Sequence, residues 1–184
     1  LVQHPYILPP LKKEISYFSS THFDRINPHW YQSHFTFTFK RDLLCWKYKH
    51  DVLSIEATPS YLFLPAVPER MARQLPDAKL IAVLRNPVDR AYSHYRKHVR
   101  TKTETLSFPA AIERELTLYR PEFEKMAADP EYHCQEAVRF SYLHRGLYIE
   151  QLKRWHQYYS PSQLLVLKSE DMFDKPESVY QQAL

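Results

Sequence analysis

Residues 79–100, KLIAVLRNPVDRAYSHYRKHVR, join a short apolar run to a basic, periodic segment through Asn-Pro. Leu80-Ile81-Ala82-Val83-Leu84 has the length and β-branched content of a fully buried strand. Pro87 has no N–H to give a ladder, so the strand ends before it, yet its fixed φ suits the first turn of a helix. From Val88 the apolar positions Val88, Ala91, Tyr92 and Tyr95 recur at helical spacing. Asp89 falls in the first turn, where a carboxylate meets the positive end of the helix dipole. A strand, a tight turn and a helix in that order indicate an α/β domain. Ligands of open parallel sheets bind beyond the carboxyl ends of the strands. Arg85 stands at such an end, and Ser93 lies on the helix after it. A guanidinium fork, a hydroxyl and the free N–H groups of a helix start together suit a phosphate. The architectural alternative is that Arg85 pairs with Asp89 or caps a neighbouring helix.

The rest of the chain extends this pattern. Val52 to Glu56 reads as a strand, and Val67 to Leu75 as a helix, with Pro68 near its start and Pro76 just past its end. With the strand at Leu80 this makes a βαβ unit, hence a parallel sheet. Leu164 to Leu167 is a further strand, preceded by a helix with Ile149, Leu152, Trp155 and Tyr159 at core spacing. Ile15 and Tyr17 alternate with Ser16 as in a strand, and Phe35, Phe37 and Phe39 read as one face of a strand or extended segment. Ser107 caps a helix running to Leu118. Residues 120–135 are charged and proline-broken, which fits either a mobile lid or a surface connection. The expected architecture is a three-layer α/β domain over residues 1–184, a parallel sheet flanked by helices.

A chain of 184 residues is long enough for one domain with a proper core. A formal charge of +4 favours an anionic ligand without indicating nucleic acid, and no nucleic-acid partner is expected. No apolar run reaches the length needed to span a membrane. Cys45 and Cys134 form neither a CxxC pair nor a zinc-ligand spacing, and are read as buried thiols of a reducing compartment. Gly146 is the only glycine. A glycine-rich loop that lets the backbone approach phosphate is therefore not encoded in these residues.

The segment LRNPVDRAYSHY resembles the 3′-phosphate-binding motif of sulfotransferases that use 3′-phosphoadenosine 5′-phosphosulfate (PAPS). The chain is similar throughout to heparan sulfate N- and 3-O-sulfotransferases and to bacterial sulfotransferase domains such as those of polyketide olefin synthases. The resemblance implies a P-loop-NTPase-like sulfotransferase fold in which Arg85 and Ser93 hold the cofactor's 3′-phosphate. Glu14, in Lys12-Lys13-Glu14-Ile15-Ser16-Tyr17-Phe18, matches the family's catalytic base on the acceptor; a salt bridge to Lys12 or Lys13 is the alternative. Lys13, Trp30 of a Trp-Tyr element and Tyr61 of a Glu-x-[Ser/Thr]-Pro-x-Tyr element would contact the acceptor. Some relatives carry a catalytic histidine four residues after the serine. That position is Lys97 here, and His98, one residue and about 100° further round the helix, is the candidate.

Ser141, Gly146 and Tyr148 match a Ser-x4-Gly-x-Tyr element near the cofactor. Glycosaminoglycan-modifying members tend to have lysine where this chain has Ala57, which favours a bacterial-type or small-molecule acceptor. Leu1 to Pro5 resemble the helix tail immediately after the family's lysine-containing phosphosulfate loop. That loop is therefore expected upstream and a basic cofactor loop downstream, the domain being truncated at both ends. The implied reaction moves a sulfuryl group from PAPS, without a metal, to a hydroxyl or amine of a carbohydrate, lipid or small molecule. A kinase-like nucleotide-phosphate transferase and a non-catalytic 3′-phosphoadenosine-binding remnant are the alternatives. The bacterial flavour and free thiols favour the cytoplasm over the Golgi lumen.

Overall fold

The computed structural model describes residues 4–36, 38–130 and 132–184, in two compact units, 1–61 and 62–184. Leu1 to Gln3, in the segment likened to the residues after the phosphosulfate loop, lie outside the described residues.

In the first unit β1 (Ile7–Leu8) runs parallel to β2 (Leu53–Ser54), with Ile7 opposite Leu53. Helix α1 (Pro28–Gln32) starts where Asn27 Oδ1 accepts from His29 N at 2.9 Å and Pro28 supplies the fixed φ of the first turn. Helix α2 (Thr38–Tyr48) comes next. The core is aromatic: Tyr17 stacks on Tyr31 at 4.7 Å between centroids, and Phe18 and Phe23 close around them.

Two expectations fail in this unit. Residues 12–18 do not form a strand, because Glu14 (φ 51°) and Ser16 (φ 60°) adopt left-handed backbone, which a strand excludes. The backbone N–H groups of Ser16 and Phe18 instead donate to Thr58 Oγ1 and Tyr61 Oη. Of the Phe35–Phe37–Phe39 alternation, read as a strand or extended segment, Phe35 lies in a bend and Phe39 is helical. Phe37 lies outside the described residues, and Phe39 sits in the first turn of α2 with its ring in solvent. The Lys, Arg and Leu residues after Phe39 have straight chains that lose little freedom in a helix.

In the second unit β3 (Leu80–Leu84) and β4 (Leu164–Lys168) pair in parallel, from Leu80 opposite Leu164 to Leu84 opposite Lys168. Helix α3 (Val67–Gln74) precedes β3 and buries Val67, Pro68 and Met71. The long crossover to β4 holds α4 (Pro87–Arg100), α5 (Phe108–Arg114), a π-helical turn at Glu115–Tyr119, α6 (Arg120–Ala128), α7 (Gln135–Arg139), a 3₁₀ turn at His144–Gly146 and α8 (Tyr148–Trp155). Helices α9 (Asp171–Asp174) and α10 (Pro176–Gln182) come after β4. Parallel strands joined through helices give the expected α/β class.

The strand at Leu80 is less buried than its composition suggests: Ile81 and Val83 are exposed and only Ala82 is buried. Among the described residues β4 is its one ladder partner, so one edge has no neighbouring strand to cover it. Residues 120–128 are a packed helix rather than a loop or lid, with Phe123 and Met126 buried one turn apart. Gly146 matters for packing. A Cβ there would lie 3.0 Å from Pro87 Cβ, so any other residue would make the 3₁₀ turn and the start of α4 move apart by a few tenths of an ångström.

Candidate active site

The turn between β3 and α4 is held from several sides. Asn86 Oδ1 accepts from Val88 N at 2.9 Å and Asp89 N at 3.4 Å, which caps α4. Glu170 Oε1 accepts from Asn86 N at 2.8 Å, and Tyr148 Oη donates to the Arg85 carbonyl at 2.9 Å. With its backbone fixed, Arg85 turns its side chain into a groove of about 600 Å³, lined by Arg85, Arg90, Ser93, His94, Arg96, Lys97, Val99 and Arg100. Ser93, Arg96, Lys97 and Arg100 stand at positions i, i+3, i+4 and i+7, one face of the helix. Among the described residues none of these exposed cations forms an ion pair, Arg85 does not pair with Asp89, and no carboxylate lines the groove. Such a surface attracts a compound carrying several negative charges, and the Arg85 fork with the Ser93 hydroxyl suits a phosphate.

The inner wall of the groove is set by buried bonds. His94 is half-buried. Burial first, then repulsion from Arg145, His98, Arg90 and Lys97, pushes its pKa down to about 3, so the imidazole is neutral. Its ring meets Tyr142 edge-on at 5.2 Å. His98 turns away from the groove: its Nδ1 lies 3.0 Å from Thr103 Oγ1 and its ring packs against Phe140 and Tyr142. Lys97, not His98, lines the groove, as the rotation of a helix by one residue requires.

Behind α4, Glu104 accepts from Thr105 N and Leu106 N at 3.1 Å, from Tyr142 Oη at 2.8 Å and from the Arg114 guanidinium. Burial raises the Glu104 pKa, but these donors outweigh it and hold the carboxyl below its ordinary value. Arg90 donates to the Tyr142 carbonyl. Glu115, fully buried, accepts from Leu143 N at 2.7 Å and His144 N at 2.9 Å, which shapes the turn carrying Gly146. Arg145 donates to Ser141 Oγ at 2.7 Å and to the Val138 carbonyl at 3.1 Å, and burial lowers its pKa to about 10. Ser141 and Gly146 thus brace the wall, and Tyr148 braces the Arg85 turn.

In the first unit Glu14 is exposed on its left-handed residue. Among the described residues it pairs with neither Lys12 nor Lys13, which are also exposed. The turn it sits on is tied to a half-buried carboxylate, Glu56, which accepts from Tyr31 Oη at 2.9 Å, Thr58 Oγ1 at 2.7 Å and Tyr61 Oη at 2.9 Å. Burial, with Glu56 adding to it, pushes the Tyr31 and Tyr61 phenols up, so both stay protonated donors. Tyr61 is therefore an internal brace with its ring buried, while Trp30 is half exposed and meets His34 edge-on at 4.3 Å.

Arg85 and Ser93 come together as the sequence implies; Lys13, Glu14, Trp30 and Tyr61 all belong to the other unit. Sequence reasoning missed Arg96, Lys97 and Arg100, although their spacing from Ser93 was the signal. Glu56 was placed in the Glu-x-[Ser/Thr]-Pro-x-Tyr element without a role of its own, although the hydroxyl residues two and five positions later were the signal for one. Among the described residues no cluster of His, Cys, Asp and Glu is arranged to hold a metal, and no helix is long and apolar enough to cross a membrane.

Comparison with known proteins shows what the chain as a whole is similar to. The model of the sulfotransferase domain matches residues 17–184. Human heparan sulfate glucosamine 3-O-sulfotransferase 5 is 24% identical over 173 residues, covering 94% of this chain and 43% of that protein. Human bifunctional heparan sulfate N-deacetylase/N-sulfotransferase 3 is 28% identical over 187 residues, covering 97% of this chain and 19% of that one. The chain thus spans less than half the length of these relatives. A crystal structure of a sulfotransferase from Alicyclobacillus acidocaldarius superposes with a TM-score of 0.71 at 28% identity, over 99% of this chain and 70% of that chain.

Proposed function

The chain belongs to the sulfotransferase domain family, and from that premise we propose that it moves a sulfuryl group from PAPS to a hydroxyl or amine of an acceptor. The observation that carries the proposal is the groove beside α4, where Arg85, Ser93, Arg96, Lys97 and Arg100 converge with no carboxylate among them. That donor set fits a nucleotide bearing both a 3′-phosphate and a 5′-phosphosulfate. Arg85 would hold the 3′-phosphate through its planar fork and Ser93 through its hydroxyl. When bound, PAPS supplies the sulfuryl group, whose bond to the 5′-phosphate oxygen breaks as the acceptor atom bonds sulfur.

Glu14 would take the proton that the acceptor hydroxyl or amine loses. Its exposure and the lack of a lysine partner among the described residues leave its carboxylate open to an acceptor. The Glu56 cluster would serve as a positioning element, fixing the backbone at Ser16 and Phe18 and so the turn that presents Glu14. Lys97 and Arg100 would offset charge on the bound nucleotide, since electrostatic stabilisation dominates transfers of this kind. Both units would act within one domain, a reading supported by a family match that runs through both.

Calorimetric titration with 3′-phosphoadenosine 5′-phosphate (PAP) and with adenosine 5′-phosphate tests the nucleotide. We expect PAP to bind at least about tenfold more tightly, the worth of one charge-assisted phosphate contact; equal affinities would contradict the assignment. Glu14→Gln should leave PAP binding unchanged while lowering transfer from PAPS by roughly a hundredfold or more. Undiminished transfer would remove Glu14 from the reaction.

A further inference from the structure

Helix α2 presents its apolar residues outward. Phe39 and Trp46 are each 79% exposed and Leu43 is 49% exposed. They stand at positions i, i+4 and i+7, which places them in one narrow stripe along the helix. The opposite side is the attached one. Leu44 and Cys45 are half-buried, Cys45 Sγ accepts from Val52 N at 3.4 Å, and Tyr48 meets Tyr6 at 5.5 Å between centroids. The stripe is therefore the free face of a helix already anchored to its own unit.

Charge surrounds that stripe unevenly. Lys47 and Lys40 lie about 40° and 60° round the helix from Leu43, along one edge of the stripe. Lys49 comes directly after, exposed and in left-handed backbone. Among the described residues none of the three lysines is paired with a carboxylate. The helix's one acid, Asp42, lies 3.4 Å from Arg41.

Aromatic and leucine side chains on one face with lysines at its border are the composition of helices that lie in a membrane interface. The area argues the same way. Three side chains of this size offer on the order of 400 Å², about half of what each partner contributes to a stable protein interface. A lipid surface needs no matching contour. We propose that α2 docks the protein on an anionic phospholipid surface, with Phe39, Leu43 and Trp46 among the headgroups and Lys40 and Lys47 against lipid phosphates.

Co-sedimentation of the whole chain with phosphatidylcholine vesicles, with and without phosphatidylserine, tests this. Binding should require phosphatidylserine and fall as salt is raised. Lys40→Gln with Lys47→Gln should weaken it by roughly 25-fold, about fivefold per lysine near an anionic surface. Trp46→Ser should weaken it strongly, whereas Trp46→Phe should restore most of it. All these positions are exposed, and an unchanged circular dichroism spectrum and melting temperature confirm that each variant is folded. Absence of binding to phosphatidylserine vesicles, or binding that the variants do not alter, overturns the proposal. So does a dimer in solution that Trp46→Ser converts to monomer, since that result assigns the stripe to a second copy of the chain.

Discussion

The two sides of α4 treat positive charge in opposite ways. Behind the helix the protein itself holds Arg114 through Glu104 and Arg145 through Ser141 and the Val138 carbonyl, and Arg90, which reaches the groove lining, is tied back to the Tyr142 carbonyl. On the groove side Arg85, Arg96, Lys97 and Arg100 are exposed, and among the described residues none is ion-paired. Buried cations must be satisfied within the fold, because an uncompensated charge in a low-dielectric interior costs several kcal/mol. Exposed cations carry no such requirement, so their clustering on one face without acids is a feature of recognition rather than of folding. Substitutions on the two sides should therefore separate stability from binding.

The largest effect is expected behind the helix. Glu104→Gln leaves the mostly buried Arg114 without its counter-charge and should cost about 3 kcal/mol, read as a shift in the urea midpoint. A stability change under 1 kcal/mol would show that solvent reaches this wall. On the groove side, replacing Arg96, Lys97 and Arg100 together by Ala should change stability by no more than about 0.5 kcal/mol. It should weaken PAP binding on the order of tenfold at low salt, with the difference fading as ionic strength rises and the Debye length shortens. A salt-independent loss would mean that these residues act by shape and not by charge.

His94, between the two sides, should give a signal that shows only on acidification. Its pKa of about 3 lies below the ordinary histidine value, so the unfolded chain binds its proton first as the pH falls. The stability this group contributes is complete above about pH 6.5 and is lost on acidification toward its folded pKa of about 3. His94→Gln should make the fall in urea midpoint between pH 7 and pH 4 shallower than in the unmodified protein. Identical slopes would mean that the imidazole is solvated.

The half of the site that rests on local rules was legible in the sequence. Asn86 and Pro87 mark the end of β3 and the start of α4 within two residues, and the structure adds that Asn86 caps α4. The groove face can be found by counting three, four and seven residues on from Ser93. The turn at 12–18 was not legible, because its left-handed residues are not glycines and its backbone donors are taken up by Thr58 and Tyr61, more than forty residues away. At Phe39 the alternation misled because α2 takes that ring into its first turn. Residues 120–128 read as a loop because Arg120 and Pro121 drew attention from Phe123 and Met126, whose spacing of three gives the buried side of α6.

The most direct test of the groove is the affinity of PAP for the unmodified chain and for Arg85→Ala. Arg85 is exposed and its side chain forms no ion pair among the described residues, so the substitution should leave the melting temperature unchanged. Loss of a charge-assisted phosphate contact worth about 1.5–3 kcal/mol should weaken PAP binding by roughly 10- to 150-fold. Equal affinity in the two proteins would mean that the turn at the end of β3 is architecture alone, and that the cationic face of α4 does not hold the nucleotide.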